Sequence, residues 1–272
     1  MSLKKGIKNL KKVIINADDL FLDKEINRGI GELIDIGIVT SVSVIVNLEY
    51  NKKDFYNFHK NHPNASYGIH INLTNGVPIT QHSSVYSIID NTGIFYDTKK
   101  FIYRILLMNV KHLRREISSQ ICRFIDSGVP LSHIDSHDHI FWISGKMRKL
   151  QIEFASKYRI PVRCPVVTDI ENKTFLFFIL KLYLRIHKNV LRRYIRMPGN
   201  LIDIFGSNSK KSSIMKNLLM VNDGISEILT HPGYSYKRKF KHREREIEIL
   251  KSLWFTNLLK SYNIVLTNFY DV

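Results

Sequence analysis

The chain has few of the residues that cross-link or interrupt a fold. Its 272 residues include two cysteines, seven prolines and thirteen glycines. Cys122 and Cys164 lie far apart and form no C-x-x-C pair, which argues against a disulfide framework or a thiolate zinc site and favours a reducing compartment. The scarcity of glycine and proline argues against a low-complexity linker. No run of about 18 apolar residues occurs, so we expect no transmembrane helix.

The N-terminal segment also lacks the features of a signal peptide. "MSLKKGIKNLKK" is basic, but the apolar run that follows it, Val13 to Ile15, is too short for a signal sequence. We therefore expect a cytoplasmic protein. The formal net charge is +17, which is compatible with nucleic acid, an anionic membrane or an acidic substrate as partner. With 44% hydrophobic and 24% charged residues, the composition is globular.

Strand and helix patterns alternate along the chain. The predicted strands are "VIINA", 40–47, 66–74, 131–140, "IPVRCPVV", "SEILTHPGY" and "NIVLTNF", and the predicted helices include 23–36, 52–60, 110–127, 145–158 and 242–261. Such alternation predicts parallel β/α units, and six or seven of them in this length predict one α/β domain built as a complete or incomplete barrel. Residues 172–220 are predicted to form a basic helical insertion.

Ionisable residues recur where the predicted strands end. They are Asp18, Asp19, His70, His133, Asp135, His137, Asp138, His139, Arg163 and His231. Active sites of parallel barrels gather at the carboxyl ends of the strands. The sequence therefore predicts that the chemistry lies at this end of the sheet.

The run "HIDSHDH" is the least easily explained by structure alone. Period-two alternation places His133, Asp135, His137 and His139 on one strand face, where four ionisable groups need water, a metal or each other. A single strand histidine is more often structural, and His133 fits that interpretation well. An Asp pair after a strand is likewise often a helix cap.

One carboxylate and two imidazoles are a common ligand set for a divalent ion. A second carboxylate beside such a set can take a proton from water, and a histidine on the far side can protonate a leaving group. We interpret the adjacent acids in these terms: one holds a metal and the other acts as a base. His231 is the candidate acid.

Five motifs in order give a family resemblance: "INADDLFL", "GIVTSVSVIVN", "GIHINLT", "HIDSHDH" and "ILTHPGY". Together they resemble the YdjC-like carbohydrate deacetylases, which include chitooligosaccharide deacetylase, from Val13 to about Phe269. The resemblance implies a distorted (β/α) barrel and one divalent metal ion, magnesium, zinc or another. It also implies hydrolysis of the acetamide of an N-acetylated sugar to the free amine and acetate.

The resemblance also implies roles for particular residues. By position, Asp19, His70 and His137 match the metal ligands, Asp18 the base and His231 the acid. Arg163 matches a strand arginine near the base, and we count it among the catalytic candidates.

The first motif departs from the family pattern, because Leu20 and Phe21 replace Phe-Gly. We therefore expect Leu20 and Phe21 to influence substrate preference. Asn72 and His139 are further candidates for substrate contact. The fourth motif departs as well, because Phe141 stands two residues after His139, where the family often has another histidine.

Residues 174–198 predict a basic amphipathic helix. Its basic face would hold Lys181, Arg185, Lys188, Arg192 and Arg196, and its apolar face Phe177, Leu180, Leu184, Leu191 and Ile195. It is either a surface helix with a solvated face or a contact to an anionic membrane. The second interpretation suggests a lipid-linked N-acetylhexosamine at the inner membrane face. A homodimer is also compatible with the sequence.

Other classes of function remain open at this point. Nucleic-acid binding would rest on charge alone and lacks a recognition motif, so we expect no nucleic-acid partner. A glycosidase needs two carboxylates about 5–9 Å apart across the sugar, whereas Asp18 and Asp19 are neighbours whose side chains should point apart in a strand. A degenerate binding protein is disfavoured by the intact ligand set.

Overall fold

The computed structural model describes residues 11–165, 167–168, 175–205, 210–221, 223–234 and 241–272, without the side chains of residues 167–168, 175–181 and 241. In this part of the chain, eight strands form one parallel sheet. They are β1 Lys11–Leu20, β2 Ser41–Val44, β3 Ser66–Ile71, β4 Leu131–Ser136, β5 Val167–Thr168, β6 Asn200–Asp203, β7 Gly224–Thr230 and β8 Ile264–Thr267. The order is β4-β3-β2-β1-β7-β6-β5, with β8 paired to β1.

The two outer strands of this order are brought together by a short contact. Ile134 of β4 forms a parallel bridge with Val162, in the segment that leads to β5. One edge of β1 pairs with β7. The opposite edge pairs with β8 over Lys11 to Ile14 and with β2 from Asn16 onward, so β8 lies beside the start of β1. The predicted distorted (β/α) barrel is confirmed.

Nine helices lie within the described ranges: α1 Lys24–Asp35, α2 Lys52–Asn61, α3 Thr98–Arg104, α4 Val110–Ile125, α5 Gly145–Tyr158, α6 Phe175–Leu191, α7 Lys211–Leu218, α8 Lys241–Lys251 and α9 Leu253–Ser261. The first helix forms as its sequence predicts. Asp23 caps it by accepting from the Glu25 amide at 2.9 Å, and Ile26, Ile30 and Leu33 are buried. Gly37, at φ 72°, follows its end as a glycine stop.

Two helix predictions were wrong in detail. The helix predicted over 242–261 is divided, because Ser252 leaves the helical backbone and its hydroxyl accepts from the Phe255 amide at 3.2 Å as the cap of α9. The sequence pattern also missed the short helix α3. Its cap is Asp97, which accepts from the Lys100 amide at 3.0 Å.

The predicted insertion over 172–220 is not wholly an insertion. Its residues Asn200–Asp203 form β6, which lies between β7 and β5 in the sheet. The sequence pattern missed this strand because "NLID" lies within a segment that was predicted as helical. Residues 172–174 and 206–209 of this segment lie outside the described ranges.

The basic helix predicted over 174–198 is shorter than expected, since α6 ends at Leu191. Leu184 and Leu191 are buried, as its apolar face required, but the side chains of Phe177, Leu180 and Lys181 lie outside the description. Lys188 donates to the Gly199 carbonyl, and Arg196 donates to the carbonyl of Val272 at 2.9 Å. Part of the predicted basic face therefore binds the protein itself.

None of the described helices has the length and apolar character needed to cross a membrane.

His133 has a structural role, as its alternative interpretation held. Its ring stacks on Phe269 with centroids 3.8 Å apart, and its Nδ1 lies 2.8 Å from the hydroxyl of Ser132. Burial lowers its pKa to about 3. The ring also lies against Gly68 of β3, where an added Cβ would come within 2.3 Å of it. Glycine at position 68 is therefore required by this close approach.

We expect Gly68→Ala to lower the free energy of unfolding by about 1–3 kcal/mol, because the new methyl group would overlap a fully packed imidazole. Urea unfolding followed by circular dichroism measures the change. Gly145→Ala is the matched control, since the nearest atom to its added Cβ is the flexible end of Arg148 at 3.5 Å. Equal stability of the two variants would contradict this explanation of Gly68.

Candidate active site

The end of β1 is bent so that both adjacent acids face the same imidazole. The pairing of β1 with β2 shifts register between Ala17 and Leu20, and Asp19 has a left-handed backbone at φ 73°. As a result His70 Nε2 lies 3.8 Å from Asp18 Oδ2 and 3.6 Å from Asp19 Oδ1. The expectation that the two side chains point apart was wrong, because it assumed a regular strand.

The same bend sends Leu20 and Phe21 into the core. Leu20 is fully buried and Phe21 is 4% exposed. The Phe21 ring makes edge contacts with Tyr50 and Phe55 at centroid distances of 5.6 and 5.8 Å. Both side chains are therefore part of the core in this structure, and their predicted influence on substrate preference stays a prediction.

The side chain of Asn72 is also buried and is hydrogen-bonded within the protein. Its Nδ2 donates to Asn47 Oδ1 at 3.0 Å and to the Asn75 carbonyl at 2.9 Å. Its Oδ1 accepts from the amides of Thr74 and Asn75 at 3.1 and 3.0 Å. Both donors and both acceptor positions of the amide are thus used to fix the turn after β3. The predicted contact of Asn72 with substrate stays a prediction.

His70 is oriented by a carboxylate that had no specific role in the sequence-based predictions. Its Nδ1 lies 2.7 Å from Asp135 Oδ1, and Asp135 Oδ2 accepts from the Ser43 hydroxyl at 2.7 Å. This contact turns His70 Nε2 toward Asp18 and Asp19. Burial alone would lower the pKa of His70, but Asp135 and Asp18 raise it to about 9.

His137 begins where the regular strand stops. β4 ends at Ser136, and Asp138 and His139 have left-handed backbones at φ 51° and 52°. The prediction of a strand to residue 140 with His139 on the same face as His137 was therefore wrong. His137 Nδ1 lies 3.0 Å from Asp19 Oδ1, and its side chain is 19% exposed.

His139 leaves the strand face and stacks on Trp142, with ring centroids 4.1 Å apart. Its Nδ1 is buried and has no hydrogen-bond partner among the described residues. Burial lowers its pKa to about 3, so the ring is neutral. The predicted contact of His139 with substrate stays a prediction.

Asp19, His70 and His137 together could hold a divalent ion. One ligand atom from each lies within 4.8 Å of the others. Asp18, His70 and Asp135 form a second set of this size, but both of its carboxylates also bind Arg163. The first set fits a metal better, because in it Asp135 stays free to hold His70 through the other ring nitrogen, as carboxylates often do for metal-binding histidines.

Arg163 connects three buried carboxylates. Its guanidinium donates to Asp18 through Nη1 at 2.8 Å and Nη2 at 2.7 Å, and Nη2 lies 2.8 Å from Asp135 Oδ2. Its Nε donates to Glu227 Oε1 at 2.8 Å. Burial alone would raise the pKa of Asp18, but Arg163 and His70 hold it below its usual range. Asp18 is therefore a carboxylate with a fixed orientation.

His231 follows the end of β7 and forms part of the opening to solvent. Its Nε2 lies 3.8 Å from Asp18 Oδ2, and its side chain is 38% exposed. Its amide donates to Glu246 Oε2 at 2.6 Å. Gly233 permits the next turn to approach α1, since an added Cβ would lie 3.1 Å from Ile26 Cα. The position of His231 thus depends on packing against α1 and α8.

Helix α8 supplies two site residues that the sequence analysis missed. Arg243 donates through Nη2 to Asp19 Oδ2, and Glu246 accepts from His231. Both are nearly buried, at 5% and 4% exposure. In "KHREREIEIL" they are surrounded by similar charges, so no feature of the sequence separates them from solvent-facing residues.

Comparison with known proteins finds a matching family and similar individual proteins. The model of the family described as "YdjC-like protein" matches residues 12–261. A carbohydrate deacetylase of Thermoanaerobacter pseudethanolicus is 30% identical, with 96% of this chain and 98% of the relative covered. One from Brevibacillus brevis is 28% identical, with coverage of 96% and 99%.

A solved structure shares the fold over nearly its whole length. It comes from Enterococcus faecalis and is provisionally described as a cellobiose-phosphate cleavage protein. The TM-score is 0.80 at 26% identity, with 96% of this chain and 98% of the other covered. The likeness therefore extends through the candidate site and is not confined to the sheet.

Glu246 should make stability depend on pH. Burial raises its pKa to about 8 from an ordinary value of 4.5, so the folded protein binds more protons than the unfolded chain between these values. The free energy of unfolding should therefore fall as pH rises through this window, by at most about 1.4 kcal/mol per pH unit for this one group. Urea titrations from pH 5 to pH 8 on wild type and Glu246→Gln measure the effect.

The difference between the two proteins isolates Glu246, because other titrating groups, including Glu227, are common to both. We expect Glu246→Gln to gain stability relative to wild type as pH rises. A constant difference across the range would show that Glu246 titrates normally.

Proposed function

The chain belongs to the YdjC-like protein family, and we propose that it is a metal-dependent carbohydrate deacetylase that hydrolyses the N-acetyl group of a sugar. The observation that supports this proposal is the convergence of Asp19, His70 and His137 beside Asp18, with His231 at the opening. The relatives named carbohydrate deacetylases support the same reaction. The products would be the free amine and acetate.

Asp19, His70 and His137 would hold the divalent ion. Such an ion supplies Lewis acidity to the acetyl carbonyl and lowers the pKa of a water molecule. Two imidazoles and one carboxylate suit zinc and other transition metals, and magnesium stays a second candidate. Asp135 would keep His70 in the orientation that directs Nε2 to this position.

Asp18 is proposed as the general base. Its lowered pKa keeps it ionised, and it lies beside the candidate metal set, so it can accept a proton from the attacking water. Arg163 holds both oxygens of Asp18, but this buried side chain is positioned to act through the carboxylate. We therefore assign Arg163 a positioning role, where the sequence had placed it among the catalytic residues.

His231 is proposed as the general acid that protonates the departing amine. Its ring lies at the solvent-facing side of Asp18, where a sugar nitrogen can approach. Burial lowers its pKa in the structure, which makes the protonated ring a stronger acid. The proton that it donates would balance the one that Asp18 takes from water, so that one amide bond is exchanged for a carboxylic acid and an amine.

Glycoside cleavage is the second candidate, because the Enterococcus faecalis relative is described in those terms. A glycosidase uses a carboxylic acid with a raised pKa on one side of the sugar. Here the pKa values of Asp18 and Asp19 are both lowered, and both carboxylates approach the same nitrogen of His70. The deacetylase therefore fits the site better.

The finer predictions about partners stay proposals. They are a lipid-linked N-acetylhexosamine as substrate, contact of residues 174–198 with an anionic membrane, and a homodimer. Acetate release from N-acetylated mono-, oligo- and lipid-linked sugars would identify the substrate class. Chain shortening without acetate would favour the glycosidase, and salt-dependent DNA retention without either would favour nucleic-acid binding.

We expect Asp18→Asn to lower the rate of acetate release about 10²- to 10⁴-fold, since an amide cannot take the proton from water. Metal content, measured by mass spectrometry after dialysis, should be unchanged. Asp19→Asn is the matched neighbour and should lose bound metal as well as activity. Full activity of Asp18→Asn, or equal metal loss in both variants, would contradict the division of roles.

We expect His231→Gln to slow hydrolysis of an N-acetylated sugar far more than that of p-nitrophenyl acetate. The amine needs a proton to depart, whereas p-nitrophenolate does not. Rates for both compounds on wild type and variant give the comparison. Similar losses on both would indicate that His231 contributes through binding or packing instead.

A further inference from the structure

A cluster of exposed apolar side chains lies on α3 and the turn after it. We define this apolar tip as Ile102, Tyr103, Leu106 and Leu107, which are 47%, 84%, 81% and 78% exposed. Large apolar side chains scattered singly on a surface are ordinary, but four within six residues form a patch. Such patches on soluble folds usually mark a contact with a partner or a membrane.

The apolar tip is held by the two residues that flank it and by one residue between its members. Phe101, Ile105 and Met108 are 0%, 4% and 2% exposed and belong to the hydrophobic core. Side chains along this segment therefore divide into a set that anchors it and a set that projects from it. The outward set is not a consequence of a segment that failed to pack.

A lysine fixes the turn that presents the two leucines. Lys146 Nζ donates to the carbonyls of Ile105, Leu106 and Met108 at 2.9, 3.2 and 2.7 Å. These carbonyls follow the end of α3, where no further helical turn supplies partners. The turn is therefore cross-linked to α5, and the positions of Leu106 and Leu107 are defined before any partner binds.

The surroundings of the apolar tip are basic. Lys99, Lys100, Arg104 and Lys111 are exposed beside it. Over residues 97–115 the sequence has six lysines and arginines and one acid, Asp97. Lys100 lies 3.8 Å from that acid, and Arg104 lies over the Tyr96 ring. A projecting apolar group with a basic border complements the hydrocarbon edge and the anionic headgroups of a bilayer.

The apolar tip is linked to the candidate active site through the start of α3. The Thr98 hydroxyl donates to Asp138 Oδ2 at 2.5 Å, and Thr74 donates to the same oxygen at 2.8 Å. Asp138 follows His137, whose side chain is part of the site opening. The segment that carries the apolar tip thus begins at the border of the site.

We propose that the apolar tip inserts into the surface of an anionic membrane and brings the active-site opening close to it. The apolar tip would contact the lipid directly, with its four apolar side chains among the upper acyl chains and the basic residues at the headgroups. This surface differs from the helix over 175–191. Membrane binding is measured without substrate, so its outcome is independent of the proposed deacetylase function.

The test is co-sedimentation of the full chain with sucrose-loaded vesicles of phosphatidylglycerol and phosphatidylcholine, with pure phosphatidylcholine vesicles for comparison. We expect binding to the anionic vesicles that weakens with salt. Leu106→Ser should lower the partition coefficient about tenfold, as expected for exposing one buried leucine. Leu107→Trp should bind the anionic vesicles. The fluorescence of its new indole should then shift to the blue and be poorly quenched by soluble quenchers.

Leu253→Ser is the matched control, because Leu253 on α9 is also 81% exposed. It should bind vesicles like wild type, and thermal melting should show all variants folded. Equal binding by Leu106→Ser and Leu253→Ser would overturn the proposal. A second contradicting outcome is that Arg185→Gln/Arg192→Gln loses vesicle binding while Leu106→Ser keeps it. A third is that wild type binds no vesicles and forms a dimer that Leu106→Ser dissociates, since the apolar tip would then be a protein contact.

Discussion

The buried guanidinium of Arg163 is the interaction on which the rest of the site depends. It binds Asp18 of β1, Asp135 of β4 and Glu227 of β7, so one cation joins three strands across the barrel interior. A buried carboxylate is stable only when it is paired and hydrogen-bonded. Arg163 directly follows Val162, whose bridge to Ile134 joins the ends of the sheet. Closure of the barrel and assembly of the charge network are therefore one structural event.

The orientation of the catalytic candidates follows from that network. Asp135 is shared between Arg163 and His70, which fixes the imidazole from behind. The bend of β1 at Asp19 then brings both neighbouring acids to the free nitrogen of this ring. Because Asp18 is held by Arg163 and Asp19 contacts His137 and Arg243, the two carboxylates have different partners. Adjacent residues of the same type can thus serve different functions.

The sequence predicted the parts of the fold and site that depend on pattern. Alternating strand and helix signals gave the parallel barrel, and the strand ends gave Asp18, Asp19, His70, His137, Arg163 and His231, which do converge. It failed where backbone geometry departs from a regular element. The left-handed backbones of Asp19 and Asp138 change the direction in which the following side chains point. Leu20 and Phe21 therefore lie in the core, and His139 leaves the strand face. Strand β6 was missed for another reason, because its four residues lie in a segment predicted as helical and its place in the sheet is a tertiary property.

The distribution of charge separates chemistry from surface contacts. Within the buried site, Arg163 and Arg243 are paired with carboxylates at short distances, so the site contributes little to the net charge of +17. Most of the excess is therefore exposed, as at Lys99, Lys100 and Arg104 beside the apolar tip. Exposed charges are screened by salt over about 8–10 Å, whereas buried pairs are screened much less. Ionic strength should thus act mainly on the binding of charged partners. The arrangement of Asp18, Asp19 and the histidines is set by contacts that salt screens much less.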